Sequence, residues 1–248
     1  MSVTGLRLTL LLTVVASIAF TGCACGGRSV EIIDMQTERF AVPVESAQSA
    51  VIELELGIGE LTITGGSTEL CSGEFEYNVA EWKPVVDHGT EKGRAHVRIT
   101  QHDLEGVSIE DDAHSAWTLQ VSDGVPAVLD IDIGVGESRI DLTDALVERI
   151  DIDAGVGEVE IDAGSVGSDL TIDIDSGVGE VLIRVPDDIG VRVDCDSGIG
   201  SFDGLGLTRH SGGYVNAAYG DSDALISIRI DTGVGDVTVH SGTTTTSL

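Results

Sequence analysis

The chain has 248 residues, 42% of them hydrophobic, with 43 acidic against 13 basic side chains and a formal net charge of -30. That apolar fraction can build the core of one large domain or two small ones, and it argues against wholesale disorder despite the charge. Nucleic acid and anionic lipid head groups are disfavoured as partners, because phosphates need Lys and Arg, and the chain owns only two lysines, Lys83 and Lys92, with its arginines scattered singly.

Residues 1–22 read as an address. Arg7 and the amino terminus supply a short positive region, and residues 8–20 form an apolar run of 13 residues, too short to span a bilayer comfortably. Phe20-Thr21-Gly22-Cys23 follows and resembles a bacterial lipobox, with Phe where Leu is usual. The resemblance implies a lipid on Cys23 as the first mature residue, and an extracytoplasmic protein anchored to the cell membrane or outer membrane. Several acyl chains on one cysteine make such anchoring stable. An ordinary secretory signal cleaved near Cys23 and Cys25 is the bland alternative. Residues 23–47 then read as anchor and tether.

Residues 48–124 read as an elaborated N-terminal β region. Phe75, Tyr77, Trp82 and Trp117 fall there, which suits a local cap closing one end of a sheet stack, since open ends expose edges that aggregate. An exposed Trp would instead mark a patch for a partner protein or glycan. His88, His96, His102 and His114 lie 8, 6 and 12 residues apart, matching neither HExxH nor a zinc-finger spacing. Cys71 and Cys195 are far apart in sequence; an exported compartment permits a bridge between them, and two buried thiols fit equally well.

A repeat dominates the rest, over residues 125–240, with one early copy. Its six members are IELELGIGELTI from Ile52, LDIDIGVGESRI from Leu129, IDIDAGVGEVEI from Ile150, IDIDSGVGEVLI from Ile172, VDCDSGIGSFDG from Val193 and IRIDTGVGDVTV from Ile228. The first glycines, Gly57, Gly134, Gly155, Gly177, Gly198 and Gly233, are spaced 77, 21, 22, 21 and 35 apart, so the period is 21 to 22 residues with two longer insertions. The second of these includes a loop over about residues 208–221. Both arms of each copy alternate with period two and are predicted as strands. Residues five and three before the first glycine are apolar and predicted inward; eleven of the twelve residues four and two before it are acidic and predicted outward. The glycines, paired with Gly59, Gly136, Gly157, Gly179, Gly200 and Gly235, are predicted to form a sharp corner. The residue between them (Ile58, Val135, Val156, Val178, Ile199, Val234) is predicted to plug the interior.

Strand, glycine corner, strand is the grammar of a β-solenoid in which each rung covers the next. An antiparallel meander or sandwich with GVG hairpins is the alternative; near-equal periods with identical chemistry at equivalent positions favour the solenoid. The fold is all β either way. Residues 241–248, SGTTTTSL, read as a frayed tail.

IELELGIGELTITGGS, GEFEYNVAEWKPVV and WTLQVSDGVPAVLDIDIGVGESRIDL, between Val51 and Leu142, resemble the toast-rack domain of bacterial cell-envelope proteins. YVNAAYGDSDALISIRIDTGVGDVTV resembles the C-terminal end of cell-wall-active antibiotic response proteins and related adhesin domains. The resemblance implies an extracytoplasmic module tied to adhesion or envelope-stress signalling, with no defined chemistry. The chain lacks the upstream transmembrane helices of the antibiotic-response pattern, which weakens the case for a sensor-kinase partnership.

The acidic ladder is the remaining candidate for chemistry. Carboxylates stacked about 4.8 Å apart repel one another by roughly 1 kcal/mol even in water. A face screened by dissolved salt is the simpler reading; weak calcium binding by Asp151, Asp153, Asp173 and Asp175 is the second. No cofactor is otherwise expected, and no copy of GVG completes a nucleotide-binding motif. No GxSxG elbow appears, and the acids form a stripe rather than one exceptional pair, so catalysis is not expected. The sequence thus points to a noncatalytic, lipid-anchored envelope scaffold or adhesin-like recognition module, with the membrane and an envelope protein or glycan as partners. A regulatory module binding a membrane partner is the first alternative, and a carbohydrate-active solenoid enzyme the second.

Overall fold

A computed structural model describes residues 28–29, 31–102, 107–108, 112–164 and 167–242. The signal segment 1–22, Cys23 and nearly all of the C-terminal tail lie outside the described residues. The strands of the N-terminal part are β1 (Arg28–Ser29), β2 (Ile32–Val42), β3 (Ser49–Ser67), β4 (Cys71–Val79), β5 (Val85–Glu91), β6 (Arg94–Thr100), β7 (Val107–Ser108) and β8 (Ser115–Ser122). The regular part contributes β9 (Ala127–Asp141), β10 (Val147–Asp162) and β11 (Leu170–Val185). Then follow β12 (Gly190–Ile199), β13 (Phe202–Leu205), β14 (Thr208–His210), β15 (Gly213–Val215), β16 (Leu225–Val234) and β17 (Val237–Ser241). A single 3-10 turn, Ala80–Trp82, is the one helical element among the described residues.

The repeats stack in parallel and in register. Ile150, Asp151 and Ile152 of β10 lie beside Ile172, Asp173 and Ile174 of β11, and beside Leu129, Asp130 and Ile131 of β9. That pairing is the β-solenoid expected from the period, and it rules out the hairpin meander, which needs antiparallel neighbours. Alternation within each arm sends the aliphatic side chains to one interior. Ile150 and Ile152 on the first arm of β10, and Val159 and Ile161 on the second, are at most 3% exposed. Each such side chain contributes roughly 1.5–3 kcal/mol of burial free energy, and each is covered by the equivalent residue of both neighbouring rungs.

The rungs do not stack in chain order. The last copy, β16 with β17, lies between β11 and β12, so the fifth copy in sequence is the terminal rung in space. Repeat chemistry makes every rung edge nearly equivalent, so pairing alone does not fix the order. The stretch 208–221, expected as a loop, supplies β14 and β15, an antiparallel hairpin that covers the free edge of β12.

The N-terminal end is built differently. β6 and β8 together form one further rung beside β3, β6 pairing with its first arm and β8 with its second. β5 closes β6 and β4 closes β8, both antiparallel, and β2 closes β4. The expected tether, 23–47, is therefore corrected over Ile32–Val42, which forms a strand because Phe40 stacks on Phe75 at 4.8 Å and the backbone pairs along β4. Phe75 meets Trp117 edge to face at 5.3 Å, and Trp82 and Trp117 are buried, as the cap reading requires.

Candidate recognition surface

The corner is where the rungs differ most from a plain stack. Gly59, Gly136, Gly157 and Gly179 align across adjacent rungs, and so do Ile58, Val135, Val156, Val178, Val234 and Ile199. A Cβ on Gly157 would lie 1.7 Å from the Gly136 carbonyl oxygen, and one on Gly179 1.6 Å from that of Gly157. Glycine is therefore required by the approach of the neighbouring backbone, with φ of 150° at Gly157 adding a second constraint.

The residue between the glycines does not plug the interior. Val135, Val156, Val178, Val234 and Ile199 are 42% to 71% exposed, and only Ile58 is partly buried. The chain reverses its inside-outside parity at the corner. The inward residue before it is Ser176 in β11, and the next inward one after it is Val181, five positions on rather than an even number. A third side chain pointing into that narrow apex would collide with those two, so it takes the convex side. The apex is instead lined by the residues just before the first glycines: Leu56, Ile133, Ala154, Ser176, Thr232 and Ser197. Their narrowing toward small and hydroxyl side chains was legible in the sequence, but its meaning depends on the inverted corner.

Two acidic rows border this apolar ridge. On one side, two residues before the first glycine, stand Glu55, Asp132, Asp153, Asp175, Asp231 and Asp196 in register. On the other, three residues after it, stand Glu60, Glu137, Glu158, Glu180 and Asp236, with Ser201 completing the row; all six are exposed. The second row was not singled out from the sequence, because it lies on the arm where the inward-outward parity has shifted. Asp236 accepts hydrogen bonds from the Ser201 backbone N–H (2.9 Å) and hydroxyl (2.7 Å), which lower its pKa.

Arginine is concentrated away from the ridge. The outward row four residues before the first glycine runs Glu53, Asp130, Asp151, Asp173, Arg229, Asp194 across the stack. Arg149 Nη2 donates to Asp151 and Asp173, each at 2.6 Å, and those hydrogen bonds raise its pKa. Arg98 bridges Glu53 and Glu55, and Arg192 pairs with Asp194. On the opposite arm Arg184 and Arg139 both bind Glu160, lowering its pKa. Asp130 makes no ion pair among the described residues. Partial desolvation, then the nearby charges of Asp151, Glu53, Asp153 and Asp132, hold its pKa above the usual carboxylate value.

The four calcium candidates are brought together only as parts of these rows. Asp151 and Asp173 share Arg149, and Asp153 and Asp175 lie in the row nearer the ridge. Among the described residues no group of three or more His, Cys, Asp or Glu side chains is placed to hold a metal ion. Two arginines, Arg149 and Arg229, line the depression around these carboxylates. Gly57, Gly134, Gly155, Gly177, Gly198 and Gly233 each abut the equivalent glycine or its partner along the stack, apart from Gly57, whose nearest neighbour is Gln101.

Gln101 was missed by the sequence reading. In the β6–β8 rung the buried Gln101 side chain lies beside Ile58. Its Oε1 accepts from the Ile58 N–H at 3.0 Å, while Nε2 donates to the Ile58 carbonyl at 3.2 Å and to Ser115 Oγ at 2.9 Å. A primary amide reproduces the donor and acceptor of a peptide group, so the last corner is satisfied as if another rung followed. At the far end the buried Asn216 acts alike: Oδ1 accepts from the Val191 N–H at 2.9 Å and Nδ2 donates to the Ile189 carbonyl at 2.6 Å.

Cys71 and Cys195, the two cysteines among the described residues, are free thiols. Cys71 on β4 and Cys195 on β12 sit seven strands apart in the sheet order, some 34 Å at about 4.8 Å per strand, beyond the roughly 7 Å limit between Cα atoms for a bridge. Burial pushes the Cys71 thiol up to about 12.

The N-terminal domain of toast_rack (DUF2154) matches residues 31–184, well over half the chain. The chain belongs to the toast-rack family. A second family, the C-terminal part of the cell wall-active antibiotics response protein LiaF, matches residues 146–239 of this toast-rack chain. A crystal structure described as a putative cell adhesion protein from Clostridium sporogenes ATCC 15579 shares 26% identity and a TM-score of 0.81, covering 84% of this chain and 99% of its own. A putative adhesin from Bacteroides fragilis NCTC 9343 is 11% identical over 83% of this chain and 96% of its own, with a TM-score of 0.34. No curated protein matches the chain.

Proposed function

We propose that this toast-rack chain is a noncatalytic recognition module, held on the outer side of a bacterial membrane by a lipid on Cys23. The observation that carries the reading is the ordered corner surface. Six rungs present a Val or Ile in register between two acidic rows, a repeated display surface rather than a single reactive cleft. The likeness to the Clostridium sporogenes protein, described as a putative cell adhesion protein, supports a role in contact at the cell surface. The lipobox resemblance at Phe20–Cys23 supports the anchor, and the membrane is accordingly one partner and an envelope protein or glycan the other. Metabolic labelling with a fatty acid, followed by cell fractionation, tests the address. Label and membrane fraction are expected for the natural chain and lost in Cys23→Ala; a natural chain that takes no label and is released from cells would sink the anchor.

A regulatory module binding a membrane partner is the second reading, favoured by the LiaF-like match over residues 146–239. Cross-linking in living cells separates the two. One specific membrane protein captured by the anchored form only would favour regulation. Sugar release from envelope polysaccharide, abolished by changing one carboxylate pair, would replace both readings with an enzyme.

A further inference from the structure

Water is a poor environment for the corner ridge. Five aliphatic side chains, each 42% to 71% exposed, follow one another along the stack with Ile58 beside them. Six rungs at about 4.8 Å make this an apolar line on the order of 24 Å long. Eleven carboxylates flank it, and among the described residues only Glu55 of the eleven is ion-paired.

The flanks select the occupant. A second copy laid on the ridge would set acidic rows against acidic rows, and anionic lipid is repelled for the same reason. Apolar contact along a narrow line with cations on both sides is the pattern of an amphipathic helix carrying Lys or Arg beside a thin apolar stripe. Spacing agrees: one helical turn rises about 5.4 Å, closer to the rung repeat of about 4.8 Å than the roughly 6.8 Å between same-side residues of a strand. A helix of about 16 residues would run the length of the ridge.

We propose that the corner ridge docks a cationic amphipathic helix of a partner protein, laid along the stack axis, with Val135, Val156, Val178 and Val234 against its apolar stripe and the acidic rows against its cations. The proposal deepens the recognition reading above and rests on it for the role, though not for the binding itself.

The test uses the chain from residue 23 onward with Cys23→Ser, which takes no lipid and retains every described residue. The probe is a synthetic 18-residue Leu/Lys helix with a narrow Leu stripe, compared with a scrambled peptide of equal composition and a Leu/Glu analogue. Calorimetry at 150 mM salt is expected to show the patterned peptide binding at least tenfold more tightly than the scrambled one, and the Leu/Glu peptide not binding. The triple variants V156S/V178S/V234S and E137Q/E158Q/E180Q, checked by thermal unfolding, should each weaken binding at least tenfold. Hydrogen exchange on the chain without these substitutions gives an independent readout: peptide protection should centre on residues 133–137, 154–158 and 176–180. Equal binding of the scrambled peptide, protection elsewhere, or no binding of the patterned one would overturn the proposal. So would self-association that the V156S/V178S/V234S variant abolishes, which would make a second copy the occupant. Ridge binding without fatty-acid labelling in cells would fail the anchor reading alone; labelling without ridge binding would fail only this one.

Discussion

The central rungs β9, β10 and β11 and the N-terminal end formed by β2, β4, β5, β6 and β8 bury their cores by opposite means. In the centre each aliphatic residue is covered by its own equivalent one rung away, as Ile152 is by Ile131 and Ile174. At the end no equivalent follows, so antiparallel strands, an aromatic cluster of Phe40, Phe75 and Trp117, and the Gln101 amide close the stack individually. The C-terminal end repeats the solution on a smaller scale with the β14–β15 hairpin, Phe202 against Tyr214 at 4.5 Å, and Asn216. Repetition builds the middle cheaply in sequence information, whereas each end needs its own residues.

The largest test of that contrast is Gly157→Ala. Its Cβ would enter the backbone of the neighbouring rung, and misfolding or a loss of more than about 4 kcal/mol is expected in denaturant unfolding. Gly124→Ala, in the end region where an added Cβ meets nothing within 4 Å, should stay within about 0.5 kcal/mol of the natural chain. Next comes Trp117→Ala, expected to cost about 3–5 kcal/mol through the cavity left in the end cluster. A loss near 1 kcal/mol would mean that the end is not held by its aromatics. Gln101→Leu should cost roughly 1–3 kcal/mol, because Ile58 loses a donor and an acceptor together, and exchange at the Ile58 amide should accelerate.

A smaller effect is expected from pH, with opposing contributions inside the acidic middle itself. The pKa of Asp130 is raised in the folded chain, so the native state binds its proton before the unfolded state does. Stability is therefore expected to rise as pH falls from neutral toward the unfolded Asp value near 4. Glu160 and, at the N-terminal end, Glu38, which Lys83 and Tyr77 hold with a lowered pKa, act in the other direction. Their contribution is present above the unfolded Glu value near 4.3 and is lost only as pH falls below it. Thermal melts between pH 7 and pH 3 should thus pass through a maximum, and Asp130→Asn should flatten the rise. A monotonic fall from pH 7 would contradict the account. The smallest change is expected for Val156→Ser: with Val156 49% exposed, stability should move by about 0.5 kcal/mol or less. A loss of 2 kcal/mol would restore the interior plug.

Much of the architecture was legible in the sequence because it is local and repeated. Ile150, Ile152, Asp151 and Asp153 announce an inside and an outside through strict alternation, and the recurrence at 21 to 22 residues announces stacking. The aromatic cap was legible for a similar reason, since large apolar side chains clustered outside the repeat need a core of their own. Gln101 was not legible: it matters only because a rung ends beside Ile58, and nothing in RITQH marks that encounter.

The sequence by itself determined an all-β stack, its rung length, its glycine corners and the acidic face of its first arms. Tertiary structure alone decided that the corner valines face outward, that β16 enters between β11 and β12, and that residues 32–42 join the sheet. Alternation carries no information through a bend that resets its parity. Chemically equivalent rung edges do not choose their own order, and an edge strand is recruited by the partner that meets it in space.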